Sequence, residues 1–531
     1  MIAAVRTFIM RSSKPGQPSI ALILSALIVA SLTIAPPAYL LFRIIDNSSA
    51  AADAIFAIST LELTLRTLAY TVTVTALATM IALPIAWLTE RTDLPARRII
   101  AILAVAPLAI PTYVGAMVMI AALGPGGMFS DLLEYDFPLP IYGFGGATVV
   151  LALFTYPYLL LTLRPAIGAL DPRLEEASGS FGYGRWTTFR RIVLPQLRPA
   201  LSSGGLIIAL YTLADFGAPS LMRFDSFTRV IFVRYESTFD RTGAAALAFL
   251  LALIALSIVA LEVWTRGRKR YDAIRIAGHP KAEQIRLGSW RWLAYTYIGT
   301  ILALTLVLPV GVLSYWLIRG ISAGEQISSV WQELNETLLV AGFAAIVTVI
   351  AAIPIAILTV RHSRFSLTRP IEVLSYSGYA LPGLVVGLSL VFAGIHLRVL
   401  YQSYAMLIAA YVLLFLPLAI GAARVSLLQV RPSIEDAARG LGRSRWNVFR
   451  TVTAPVAYRG IITGGALVFL TTIKELPVTL LLAPIGFDSL AVRVWSASSE
   501  AFFARAALPA LALLVLSSFP LLVLEQIGRR R

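Results

Sequence analysis

Three ionisable residues sit where a chain this apolar should have none. Asp215 lies in I-A-L-Y-T-L-A-D-F-G-A-P, and Lys474 and Glu475 lie in V-F-L-T-T-I-K-E-L-P-V-T. An ionisable side chain inside a membrane span costs roughly 2.5–3.5 kcal/mol on insertion scales, so it marks a functional candidate. Asp215 and Glu475 are 260 residues apart and occupy equivalent places in a repeat described below. Two carboxylates at equivalent positions can line one path and offer oxygens to a hard cation. Two plainer readings stay open: Lys474 pairs with an acid and ties helices together, or all three lie at a wet interface. His279, His362 and His396 are scattered and form no metal constellation. With no cysteine, the chain has no disulfide, thiolate metal site or thiol nucleophile.

A second polar feature occurs twice. E-E-A-S-G-S-F-G-Y-G-R-W occupies 175 to 186, and E-D-A-A-R-G-L-G-R-S-R-W occupies 435 to 446. Both are too polar for lipid. Pro172 and Pro432 suit the first turn of a helix, and the acids that follow suit its positive end. Gly182 and Gly442 then break the helix. A second piece follows, with Trp186, Phe189 and Arg190 at i, i+3 and i+4, matched by Trp446, Phe449 and Arg450, before Pro195 or Pro455. Trp and Arg dominate interface hot spots, so two equivalent partner sites fit this stripe. An interfacial helix lying on lipid headgroups fits it as well.

The elements that must position these residues are membrane helices. Of 531 residues, 58% are hydrophobic and 14% charged, with mean hydropathy +0.81. Twelve apolar runs approach the roughly 20 residues that span a bilayer: 19–43, 62–89, 99–123, 145–170, 199–222, 244–265, 292–318, 337–360, 371–395, 403–423, 460–483 and 504–525. Period-2 alternation is absent, which argues against a membrane barrel. The first run follows Arg6, Arg11 and Lys14 but is long and lacks a small-residue cleavage signal, so it reads as an uncleaved span.

The net charge of +16 would suggest nucleic acid in a soluble protein. Here its placement decides. With the N-terminus cytoplasmic, 33 of the 44 Lys and Arg fall in cytoplasmic segments and 10 at the outer side, with Lys474 inside a span. This is the asymmetry of the positive-inside rule. It places both termini in the cytoplasm and leaves no call for nucleic acid.

The basic stretch 266–291 divides the spans six and six, and reads as a cytoplasmic linker that could also touch anionic headgroups. The expected organisation is a cytoplasmic segment 1–18, a six-helix domain 19–265, the linker 266–291 and a second six-helix domain 292–531. The halves repeat. Arg164, Pro172, Glu175, Gly182, Trp186, Arg190, Pro195 and Gly204 recur 260 residues on, and L-P-I-A-W-L-T-E-R (83–91) echoes I-P-I-A-I-L-T-V-R (353–361) at 270. Each half starts inside and has an even number of spans, so the repeats are parallel and a path would run between them. The fold class expected is therefore all-α integral membrane, with about twelve transmembrane helices in two parallel six-helix repeats.

The polar loops carry a resemblance. Glu176-Ala177-Ser178, Gly182, Ile192, Leu194 and Pro195 resemble the EAA loop of permease subunits of ABC importers. Asp436-Ala437-Ala438, Gly442, Val452, Ala454 and Pro455 fit it with substitutions at 436, 452 and 454. The resemblance spans both halves. It implies a fold like that of type I ABC importer permeases. It also implies that each loop, including Glu176, Ala177, Gly182, Trp186, Arg190 and Pro195, and Asp436, Ala437, Gly442, Trp446, Arg450 and Pro455, docks on an ATP-binding subunit. Two loops imply two such subunits. A P-loop needs Gly-Lys-Ser/Thr. None of Lys14, Lys269, Lys281 and Lys474 follows a glycine. ATP is then hydrolysed by partner chains; this chain is expected to bind no cofactor and to be no enzyme. The short outer loops leave no room for a substrate-binding domain, so a separate periplasmic or lipid-anchored binding protein is expected, in a bacterial inner membrane.

T-L-A-D-F-G-A-P-S-L, T-I-K-E-L-P-V-T-L-L-L-A-P-I-G-F-D-S-L-A and A-L-P-G-L-V-V-G (380–387) are similar to the fused permeases of ferric-iron ABC importers. That similarity implies Fe(III) as substrate. Fused thiamine permeases, and polyamine or sulfate permeases, share the layout or the loop and are the alternatives. A proton-coupled carrier with 6+6 repeats also has twelve spans, but it does not need matched polar loops. A membrane scaffold would not need paired intramembrane acids.

Overall fold

The computed structural model describes residues 18–135, 140–266, 284–325, 329–378, 381–396, 399–430 and 432–529. The described residues are helical throughout apart from turns and one isolated bridge, Thr92 to Ile285. The N-terminal segment 1–17 and most of the expected linker lie outside the described residues.

In the first half, α1 (Ile20–Leu32) and α2 (Ala35–Asp46) precede α3 (Ile58–Arg91), α4 (Thr112–Leu123) and α5 (Gly143–Gly168). Then come α6 (Pro172–Ser180), α7 (Leu194–Ala214), the short α8 (Gly217–Leu221) and α9 (Arg241–Arg266). The second half follows with α10 (Arg291–Leu302), α11 (Leu308–Ser322), α12 (Trp331–Arg361), α13 (Gly383–His396) and α14 (Tyr404–Gln429). It closes with α15 (Pro432–Gly440), α16 (Ala454–Thr472), α17 (Pro477–Leu482) and α18 (Phe503–Arg529). Element by element, α3 to α9 match α12 to α18.

Ten described helices are long and apolar enough to cross a membrane. The twelve runs expected from sequence differ from these in shape rather than place. Run 19–43 is α1 and α2, bent by 46° where Pro36 and Pro37 open α2; counted as one span it is the eleventh. Run 371–395 splits into helix 368–377 and the 14-residue α13, with Pro382 between them. Run 99–123 splits likewise around Pro107 and Pro111. Runs 199–222 and 460–483 each break two-thirds of the way along, at Asp215-Phe216 and at Ile473–Leu476. Proline removes a backbone donor and disfavours helix just before it. Such breaks are tolerated at membrane depth where they are buried in protein or line a cavity.

Many of the hydroxyls in the spans are satisfied locally. Along α3, Thr64, Thr71, Thr73, Thr75 and Thr79 each donate to the carbonyl four residues back. Helices approach through small residues, as expected where lipid supplies no hydrophobic drive between them. Gly204 of α7 lies against Leu159 and Thr162 of α5, and Gly464 of α16 lies against Ala419 and Ala422 of α14. Thr162 also donates to the Ala200 carbonyl at 3.1 Å.

The first span of each half packs on the other half. Leu22, Ala26 and Ala30 of α1 share a core with Ala345, Ile355 and Leu358 of α12, and Thr33 donates to the Leu374 carbonyl. Reciprocally, Ala294, Ile298 and Ile301 of α10 join the core around Tyr70 and Val74. Tyr297 donates to the Ile81 carbonyl and Trp316 to that of Ala121. The halves are thus interlocked, and their remaining spans meet along a central seam.

Candidate functional site

The helix breaks meet at that seam. A cavity of about 120 Å³ is lined from the first half by Pro111, Thr112, Tyr113, Tyr211, Asp215 and Gly217, and from the second by Gly383, Lys474, Glu475 and Pro477. All three ionisable residues singled out from sequence therefore come together.

The two acids are held alike. Asp215 Oδ2 accepts from the Ala218 amide at 3.1 Å, and Glu475 Oε1 accepts from the Val478 amide at 3.1 Å. Each caps the short helix that follows it, α8 or α17, and so restores a hydrogen bond lost at the break. Each acid's own carbonyl accepts from a threonine: Thr228 for Asp215, Thr479 for Glu475. The contact with the facing helix differs. Asp215 Oδ1 accepts from Thr112 at 2.5 Å. The residue that opens the matching helix α13 is Gly383, and a Cβ there would stand 2.7 Å from Glu475 Oε1. Thr with Asp in one half thus replaces Gly with Glu in the other, a trade of side-chain length across the same contact. Neither Thr112 nor Gly383 was singled out from sequence; only the prolines before them, Pro111 and Pro382, signal the break.

Lys474 does not pair with an acid, as one of the plainer readings of the sequence would have it. It makes no ion pair among the described residues and donates instead to the Leu108 carbonyl of the first half, at 2.8 Å. Its counterpart in the first half is Ala214, so the cation has no twin. Among the described residues no group of three His, Cys, Asp or Glu is arranged to hold a metal ion. The cavity is lined by two carboxylates, the Lys474 ammonium, and threonine and tyrosine side chains.

The repeated polar loops lie at the far ends of α7 and α16 from this cavity. In the first, Asp171 caps α6 by accepting from the Arg173 amide. Gly182 then turns the chain at φ +78, and Gly442 does so at φ +81. Nothing stands within 4 Å of a Cβ at either position, so the backbone angle and not space calls for glycine. A four-residue helix and a π-turn follow in each half, 185–193 and 445–453, leading into α7 and α16. Glu176, Ala177, Trp186 and Arg190 are exposed and Pro195 is half-buried. Phe181 and Trp186 are 82% and 73% exposed, with Trp186 stacked on Phe189 at 5.7 Å between ring centroids. In the second loop Asp436, Ala437, Gly442, Arg450 and Pro455 are exposed, as is Leu441 at 84%. Asp436 pairs with Arg439 at 2.6 Å. Trp446 lies on helix 445–448, with its side chain outside the described residues.

The acid just before each EAA position turns inward. Glu175 accepts from Arg91, the buried last residue of α3. Glu435 accepts from Arg361, the last residue of α12, at 2.8 Å. The repeat of T-E-R (89–91) as T-V-R (359–361) was the sequence signal for these arginines, but nothing in it named their partners.

Residues 78–271 and 348–531 each match the family described as binding-protein-dependent transport system inner membrane component. The chain belongs to this family. Its two matches are the two halves, fused. Among curated relatives, the Fe(3+)-transport system permease protein FbpB 2 of Haemophilus influenzae is 36% identical over 388 residues, 72% of this chain and 76% of the relative. A putative ferric transport system permease protein, FbpB 1 of the same organism, is 26% identical over 70% of this chain, which matches 64% of that protein's length. The sulfate transport system permease protein CysT of Escherichia coli is 29% identical over 201 residues, 36% of this chain. As a member of this family, the chain is a multi-pass membrane transport subunit.

Proposed function

We propose that this chain is the permease of an ATP-driven importer of Fe(III), with the path running through the seam where Asp215 and Glu475 meet. The observation that carries the reading is the cavity at the helix breaks, where both halves contribute a carboxylate at matched positions. Fe(III) is a hard cation that takes oxygen ligands, and the two ferric permeases of Haemophilus influenzae match over 388 and 413 residues, more than either half holds. The sulfate permeases match about one half. The cavity's two carboxylates outnumber its one ammonium, Lys474, a balance of charge that disfavours a dianion.

The exposed loops 171–193 and 432–453 dock on two ATP-binding subunits. Glu176, Ala177, Trp186, Arg190 and Pro195, and Asp436, Ala437, Trp446, Arg450 and Pro455, lie at or beside the contact. Gly182 and Gly442 set the turn between its two helices. Both termini lie on this cytoplasmic side of a bacterial inner membrane, and a separate binding protein delivers Fe(III) to the opposite face. ATP is bound and hydrolysed by the partners, and this chain binds no cofactor or nucleic acid. Closure of the ATPase pair moves the loops, and α7 and α16 carry that movement directly to the breaks at Asp215 and Glu475. The ammonium of Lys474 spans the seam and holds the two halves together while the path is closed.

The test is uptake of radiolabelled Fe(III), thiamine and sulfate by iron-starved cells with and without this chain. Loss of Fe(III) uptake alone is expected. Loss of thiamine or sulfate uptake with Fe(III) uptake intact overturns the iron assignment.

A further inference from the structure

The geometry points to the Arg91–Glu175 and Arg361–Glu435 pairs as struts that lock each ATPase-docking helix to the second span of its half, so that the loop drives two helices at once. This rests on the loops being the docking sites proposed above.

Four observations carry it. First, the pairs repeat. Arg91 and Arg361 end α3 and α12, and Glu175 and Glu435 lie in the first turn of α6 and α15. Second, neighbouring ion pairs do not repeat. Arg164 pairs with Glu90 of α3, whereas its counterpart Arg424 pairs with Glu372 of helix 368–377. The surroundings have diverged between the halves while this link has not. Third, the links are buried or half-buried, and braced. Arg91 is 6% exposed and lies over the Trp87 ring at 5.5 Å, and Trp87 meets Phe189 of the π-turn edge-on. Arg361 also donates to the Val430 carbonyl, and Glu435 Oε1 accepts from Thr453 at 2.6 Å. Fourth, the acid pairs divide their labour. Glu175 and Glu435 face inward, while Glu176 and Asp436 stay exposed on the docking side.

A buried ion pair adds little net stability, because desolvation offsets the attraction. What it adds is direction. The guanidinium is always charged, planar and forked, so it fixes the orientation of a carboxylate far better than apolar contact does. Without the strut, the loop still pulls on α7 and α16 through the chain, but α3 and α12 are free to lag. Since α3 packs along α5 and α7, and α12 along α14 and α16, a lag there lets the seam absorb the stroke. Arg91, Glu175, Arg361 and Glu435 are therefore positioning residues for coupling.

The chain lacks cysteine, so labels can be placed freely. Spin labels at Met80→Cys on α3 and Arg173→Cys on α6, both exposed positions, report the distance across the strut in the full complex with its ATPase. One narrow distance, unchanged between nucleotide-free and ATP-bound states, is expected. Arg91→Gln should broaden or shift it in the ATP-bound state. In proteoliposomes, Arg91→Gln and Arg361→Gln should each keep ATP hydrolysis but lower Fe(III) imported per ATP at least threefold. The exchange Arg91→Glu with Glu175→Arg should recover part of that ratio, which a purely structural role would not require. A wild-type distance that changes on ATP binding, or an Arg91→Gln complex with unchanged distance and unchanged ratio, overturns the inference. If Arg91→Gln fails to assemble, Arg91→Lys serves, with the same expectation and a smaller effect. The distance arm needs no cargo, so wild-type failure to import Fe(III) counts against the substrate and leaves the strut test standing.

Discussion

Lys474 of the second half donates a 2.8 Å hydrogen bond to the Leu108 carbonyl of the first. It crosses the seam beside two carboxylates without pairing with either. A charge-assisted hydrogen bond contributes about 1.5–3 kcal/mol. If that bond favours the closed seam, its loss shifts the balance toward opening. Lys474→Met should therefore raise ATP hydrolysis in the absence of loaded binding protein by roughly ten- to a hundredfold, on the scale of 1.4 kcal/mol per tenfold. Hydrolysis by reconstituted complexes, with and without binding protein, checks this. An unchanged basal rate would remove Lys474 from the closing mechanism.

Gly182 and Gly442 hold left-handed backbone, φ +78 and +81, in open space. A β-branched residue there meets a backbone cost of about 1–2 kcal/mol and no steric clash. Gly182→Val with Gly442→Val should leave the membrane fold intact and displace the docking surface. ATP hydrolysis should persist while transport per ATP falls severalfold. Normal transport by the double variant would show that the turn geometry does not matter to coupling.

Gly204 and Gly464 are counterparts with different room. A Cβ at Gly204 would stand 2.3 Å from Leu159 Cδ1, 2.5 Å from Thr162 Oγ1 and 3.0 Å from backbone at Leu159, whereas at Gly464 the nearest atoms are 3.3 Å away. Overpacking costs about 1–3 kcal/mol. Gly204→Ala should thus lower the thermal midpoint in detergent clearly more than Gly464→Ala. Equal shifts would contradict the closer packing of α7 on α5.

Asp488 lies in the loop between α17 and helix 490–499, with its amide on Glu336 and its carboxylate 3.8 Å from Arg493. Burial, then the nearby Glu333 and Glu336, push its carboxyl up to about 6 from 3.8, against the pull of Arg493. The folded protein then holds a proton that the unfolded chain has released, so this group's contribution to stability falls as pH rises from about 4 to about 6. The thermal midpoint of Asp488→Asn should decline less over that range than that of the wild type. Parallel pH profiles would refute the assignment.

Much of this was legible in the sequence, and what was not has a physical reason. Hydrophobic runs located every span because lipid demands them, yet they could not show that runs 99–123 and 371–395 are broken, since an apolar break and an apolar helix have the same composition. Gly182, Trp186 and their counterparts were found because polarity inside a membrane chain is conspicuous. Asp215 and Glu475 were found for the same reason, and their repeat offset anticipated their meeting. The partner of Lys474 was not readable, because a backbone carbonyl leaves no residue-type signal. Nor was the crossing of α1 and α10 to opposite halves, since apolar faces carry no address. Arg91 and Glu175 are 84 residues apart and were visible only as two charges near separate helix ends.

The most direct measurement is ATP-driven accumulation of radiolabelled Fe(III) in proteoliposomes holding this chain, its ATPase and loaded binding protein, wild type against Asp215→Asn with Glu475→Gln. Both substitutions keep the shape of the side chain and remove its charge from the cavity. Uptake by the wild type and at least tenfold slower uptake by the double variant are expected, in complexes that assemble to the same extent. Equal uptake by the two would place the path away from these acids, and no Fe(III) uptake by an actively hydrolysing wild type would contradict the iron assignment itself.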